Sequence, residues 1–290
     1  MGSIHAAAAG RVLVKRFPIH QVALPLAIGL CILLAAPSDR AQNSPIGALA
    51  AQTANAISNA KQKSVVVFDF VGPDRSVNAL GRTLADDFSV ALSKSANKFT
   101  VINRSDLLRE IESNRLSPEA AADPHVAVWL ARRLKATSII LGNLDLDATG
   151  VTVEATSYEL RSKAIKSFET TFPVSKKVET LVKTEVDPDA AIPVFDPKAK
   201  GFVMPACIQC AKPDYTPAAV DKKLEGTAVL DAVIGLDGRA KDIRVRKSLG
   251  LGLTVKAIQT VQSWTLKPAK GPDGKPIAIR IPIEIMFRLY

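Results

Sequence analysis

The sequence is poor in the side chains that carry chemistry. It contains three cysteines, three histidines and few aromatics, the last at 5% of residues. His5, His20 and Cys31 all fall near the start, so the rest of the chain offers only His125 and the pair Cys207 and Cys210. A zinc site built on thiolate and imidazole needs two further ligands beyond that pair, so no metal centre is expected. His125 sits two residues after Asp123 at a helix start and reads as a solvated residue. Leu249-Gly250-Leu251-Gly252 lacks the spacing of a phosphate loop. Asp69 lies in an apolar run with no second carboxylate or nucleophile placed beside it, so it reads as a hydrogen-bonded structural acid. No catalytic residue, cofactor or metal is assigned, and the expectation is a protein that is not an enzyme.

Long apolar runs are also lacking. The apolar run Val22 to Ala36 is about 15 residues against the ~20 that span a bilayer, and Pro25 interrupts it. Arg11, Lys15 and Arg16 precede it, which gives the positive and then apolar order of an export signal. Residues 1–41 therefore read as a signal peptide or an uncleaved membrane anchor. Either way, the remainder is expected in the periplasm, across or anchored in the inner membrane. Residues 42–63, rich in Ala, Asn, Gln and Ser, read as a weakly helical tether.

The first folded domain is expected over 64–176. Val65-Val66-Val67-Phe68 is a continuous apolar run, as in a strand buried on both faces. Val77, Leu80, Leu84, Phe88 and Leu92 recur at helical spacing behind Ser76, taken as the cap. Phe99 to Ile102 makes a short strand, Ser105 caps a second helix, Asp123-Pro124 opens a third, and Ser138 to Gly142 returns to strand. Val151 to Tyr158 and Ile165 to Phe172 then read as a hairpin.

Residues 177–211 read as a semi-rigid linker, with Pro188, Pro193, Pro197 and Pro205. In an exported chain its Cys207-Ile208-Gln209-Cys210 points to a local disulfide, with free thiols as the other state.

The last stretch organises residues 212–290. Ile277, Ile279, Ile281, Ile283, Ile285, Phe287 and Leu289 alternate with mostly polar residues, the period of a half-buried strand. Pro282 lacks the N–H that a central strand needs, so the strand is expected at a sheet edge. An exposed edge can take a partner's strand. The partner-facing set is then Ala278, Arg280, Pro282, Glu284, Met286 and Arg288, with Arg280 and Arg288 favouring acidic or polar segments. Val255, Ile258, Val261 and Trp264 form one helical stripe, so Trp264 is expected in the core with Tyr215 and Gly226. Net charge is +10, and Lys212–Tyr290 carries 14 Lys and Arg against 8 Asp and Glu. No nucleic-acid motif accompanies that charge, so an acidic protein or anionic lipid surface is expected rather than nucleic acid.

Pro213-Asp214-Tyr215, Glu225-Gly226, Asp237-Gly238, Trp264-Thr265-Leu266-Lys267-Pro268 and the final strand occur in the order of the TonB family carboxy-terminal domain, which this region resembles. The runs at Val65 to Phe70, Phe99 to Leu107 and Leu130 to Gly142 resemble the periplasmic α/β domain of FlgO, CsgG-type and TolB amino-terminal regions. The resemblances imply an α+β chain of two domains: a mixed α/β domain, then a small TonB-like domain with a three-stranded antiparallel sheet. They imply an envelope protein that binds outer-membrane TonB-dependent transporters or other envelope partners by strand addition. Energy transduction through an ExbB/ExbD motor is the fuller role, and an assembly or dimerising module without motor coupling is the alternative. The family's anchor motif S-x-x-x-H is missing from Val22 to Ala36.

Overall fold

The computed structural model describes residues 44–160, 164–189, 191–194 and 201–289. The expected export segment lies outside these. The described residues fall in one compact unit.

The first element is the helix of the expected weakly helical tether, but it is packed into the core and not free. Pro45–Asn59 is an α-helix (α1) capped by Ser44, and its Ile46, Leu49, Ala50, Thr53, Ala54 and Ile57 are buried. These positions follow helical spacing, but Ala and Thr fill half of them, so the stripe is weak in hydropathy and strong in shape. Small side chains let α1 lie close to the sheet and to the next helix.

The five-stranded sheet has the order β2-β1-β3-β4-β5. It comprises β1 (Ser64–Val71), β2 (Thr100–Val101), β3 (Ser138–Leu146), β4 (Val151–Glu159) and β5 (Ala164–Phe172). β1 pairs in parallel with β2 and β3, whereas β3-β4 and β4-β5 are antiparallel. On one face lie α1 and α2 (Ala79–Ser95), packed on Val65, Val67 and Phe70. On the other lie α3 (Arg104–Ser113), α4 (Pro118–Ala121) and α5 (Pro124–Arg133), packed on Val66 and Phe68. A register shift between Val67 and Phe70 lets Phe70 join the first face, where its ring meets Phe88 at 5.7 Å. Gly142 makes room for that ring, since a Cβ there would lie 2.1 Å from Phe70 Cδ1. Asp69, at the shift, is held by Arg82 and Arg104.

Two helix starts differ from expectation. Asn78, not Ser76, caps α2, and Asn103, not Ser105, caps α3. Each Asn side chain accepts a first-turn N–H, at Gly81 and Ser105 respectively.

The linker is structured wherever it is described. Lys176–Val182 forms α6, Asn78 and Glu185 share a bridge, and Ala206–Gln209 forms β6 on β9 (Thr265–Lys267). Cys207 and Cys210 are joined by a disulfide in that added strand.

The second domain contains α7 (Pro217–Asp221), β7 (Gly226–Ile234), β8 (Ala240–Lys247), α8 (Leu253–Ser263) and β12 (Ile279–Phe287). Its three-stranded antiparallel sheet has the order β12-β7-β8. Ala269–Lys270 (β10) and Pro276–Ile277 (β11) form a separate small ladder. The expected strand starting at Ile277 is thus divided at Ala278, which belongs to neither ladder.

One core joins both domains: Leu107, Leu116, Ala127 and Leu130 pack in the same cluster as Leu230, Ile243, Ile258 and Phe287. The backbone continues the contact, as Ser117 N–H donates to Ile243 O at 3.1 Å and Ile243 N–H to Arg115 O at 3.1 Å. A bulge at Asp242-Ile243, with Asp242 at φ 43°, turns Ile243 outward to make this bridge.

Candidate functional site, a half-open sheet edge

A three-stranded sheet has two edges, and among the described residues each is met by one isolated bridge. Residues 115–117 of the first domain cover β8 at Ile243. Among the described residues, β12 is met at its start, where Arg280 N–H donates to Pro193 O at 3.0 Å and Val194 bridges Arg280 in parallel.

That one bond sets the phase of the strand. In an antiparallel pair, the N–H and C=O of one residue point to the same side. Since Arg280 points away from β7, so do Pro282, Glu284 and Met286, while Ile279, Ile281, Ile283, Ile285 and Phe287 bond to β7. Pro282, paired with Asp231, costs the ladder nothing because its missing donor falls on the outer side. Among the described residues, the Glu284 and Met286 N–H groups have no backbone partner. The open edge therefore offers donors at Glu284 and Met286 and acceptors at Pro282, Glu284 and Met286.

Side chains follow the same alternation. Ile279, Ile283, Ile285 and Phe287 are buried, and Pro282, Glu284 and Met286 are exposed, Met286 by 52%. Arg288 is exposed just past the strand, where Leu289 N–H donates to Glu225 Oε1 at 2.5 Å.

Arg280 is the main correction. It is only 3% exposed, so it is no basic flank for a partner. Its guanidinium bonds the Asp242 carboxylate, Asp242 O at 3.3 Å and Asp189 O at 3.2 Å, and lies 3.8 Å from Asp187. Asp187 also pairs with Arg244, and Asp189 with Lys241 at 2.8 Å. Glu119 of α4 reaches the same group, 3.9 Å from Arg244. Linker, both edge strands and first domain thus meet in one charged knot beside the edge. Burial pushes the Asp242 carboxyl up to about 7, against the pull of Arg280, with Asp187 adding to the rise. Burial also acts to raise Asp187, but the Asp189 N–H and Arg244 hold it below its ordinary value. Ala278 is half-buried and lies before the paired strand, so it too leaves the partner-facing set. Of the residues expected there, Pro282, Glu284 and Met286 share the open edge, and Arg288 follows at its end.

The three residues expected in the core frame the site from inside, and none is fully buried. Gly226 starts β7 opposite Phe287. Tyr215 stands edge-on to Phe287, with ring centroids 5.4 Å apart. Trp264 follows the last turn of α8 instead of extending its buried stripe, and its Nε1–H donates to Ala211 O at 3.0 Å. Sequence reasoning missed Asp187, Asp189, Asp242 and Arg244, which fix the start of the edge; acids on the linker facing a basic strand were the only signal.

One comparison with known families falls on the second domain. Residues 211–289 match the family model of the Gram-negative bacterial TonB protein C-terminal. The solution structure of the Pseudomonas aeruginosa TonB C-terminal domain is similar at 21% identity and a TM-score of 0.26, over 32% of this chain and 91% of that one. The LpoB C-terminal domain from Salmonella enterica is similar at 16% identity and a TM-score of 0.37, over 44% and 96%. Lipoprotein GNA1162 from Neisseria meningitidis is similar at 14% identity and a TM-score of 0.31, over 41% and 90%. No curated protein sequence matches the chain.

Proposed function

From a last domain that belongs to the TonB C-terminal family, we propose that the chain is an envelope protein of the periplasm that captures an extended segment of a partner on the open edge of β12. The observation that carries this reading is the outer row of β12. Beyond the Arg280 contact, the Glu284 and Met286 N–H groups have no backbone partner among the described residues. Ladder bonds give such an edge grip with little demand on sequence, and the side chains beside it give choice. The partners proposed are outer-membrane TonB-dependent transporters or other envelope proteins, and the role is binding without catalysis.

The tied linker favours an adaptor over a motor-coupled transducer. Asp187, Asp189 and Pro193 are pinned to the second domain, so the segment joining the domains does not act as a free spacer where it is described. Energy transduction remains the narrower reading, and ExbB and ExbD would be its partners.

The test is Met286→Pro. It removes an outward donor and leaves the β7 ladder whole, so binding of transporter amino-terminal peptides should fall by about tenfold, with the melting temperature little changed. Unchanged affinity in the folded variant would remove the edge as the site.

A further inference from the structure

One cavity of the described structure lies away from the edge. It is an open groove of about 770 Å³ where α5 of the first domain faces α7 and α8 of the second. Val128, Trp129, Leu251 and Val255 give it an apolar floor, and Leu251 is 43% exposed. His125, Arg132 and Lys256 stand on it, and among the described residues no acidic side chain lines it.

That charge pattern runs against local stability. The first turn of α8 has no acidic residue and its Gly252 cap supplies no side-chain bond, yet Lys256 stands there. A cation at a helix start opposes the helix dipole, where an acid would be favoured. The nearest acid, Asp214, meets Lys256 at 3.7 Å from an 84% exposed position, a screened contact. A carboxylate arriving from outside would be met by Lys256 and Arg132 together.

We propose that this groove is a second docking site, for a short amphipathic helix of a protein partner that lays apolar side chains on Trp129 and Leu251 and sets carboxylates against Arg132 and Lys256. Charge complementarity selects an acidic occupant, and the concave space between two helices suits a third helix. A flat bilayer would not reach Trp129 between them. The groove shares no residue with the edge of β12, so this site stands or falls independently of it.

Calorimetry on the full chain tests the assignment with three probes. These are a synthetic amphipathic helix with leucines at i, i+3, i+4 and i+7 flanked by glutamates, the same peptide with lysines, and vesicles of anionic phospholipid. The glutamate peptide should bind and the lysine peptide should not. Arg132→Glu combined with Lys256→Glu should weaken the glutamate peptide by about tenfold or more. Should that variant not fold, Arg132→Gln with Lys256→Gln replaces it and should flatten the salt dependence of binding. Equal binding of both peptides, no binding of either, or insensitivity to the substitutions would overturn the proposal. Vesicle binding lost in the charge variant would also overturn it, and would make the groove a membrane contact.

Discussion

The Arg280 guanidinium lies against the Asp242 carboxylate with 4% and 5% of the two side chains exposed, 38 residues apart in the chain. A charge so buried needs its partner, because removing one member leaves the other without solvent or counter-ion. Arg280→Met should therefore destabilise the protein by about 3–5 kcal/mol in urea titration. It should also raise proteolysis near Pro193, since the knot that pins the linker is gone. A loss under ~1 kcal/mol would show that the pair is solvated in solution.

The same knot sets a pH dependence. Asp242 titrates near 7 in the folded protein, above its value in the unfolded chain. Its contribution is fully present below the unfolded pKa and is lost as pH rises through about 7. Asp187, held low, acts in the opposite sense: its contribution is lost as pH falls through its folded pKa. Melting temperature should thus decline from about pH 5 to about pH 7 and level off above it, and Asp242→Asn should flatten that decline. A rise across the same window would contradict the assignment.

Gly238 tests the hairpin between β7 and β8. It has φ 73°, and a Cβ there would lie 1.8 Å from Leu266 O. Gly238→Ala should cost at least about 1–3 kcal/mol in thermal melts, through backbone strain and displacement of Leu266.

Trp264→Ala should cost about 1–3 kcal/mol, below the ~3–5 kcal/mol of a fully buried aromatic. The indole is half-buried, and part of its role is the bond to Ala211. Urea titration gives the energy, and amide exchange of the 206–211 segment should rise with it.

The parts of the fold that were legible from sequence are those governed by local periodicity. The alternation from Ile279 to Phe287 and the position of Pro282 placed the last strand at an edge, because both follow from one residue's backbone and its neighbours. What escaped depends on distant partners. Arg280 looks like any exposed strand cation until Asp187, Asp189 and Asp242 are brought to it, and the Asp242 bulge that allows this has no glycine to mark it. The packing of helix α1 was hidden because alanine carries its buried stripe. The common core was hidden because each domain's apolar residues look the same whether they face their own sheet or the other domain's helix.

The open edge of β12 is tested most directly by residue-resolved amide exchange of the full chain with and without a transporter amino-terminal peptide. The account predicts that the Glu284 and Met286 amides, fast in the free protein, become protected on binding, while Ile283 and Ile285 are slow in both states. Peptide binding that leaves Glu284 and Met286 fast, or slow exchange at both in the free protein, would contradict it.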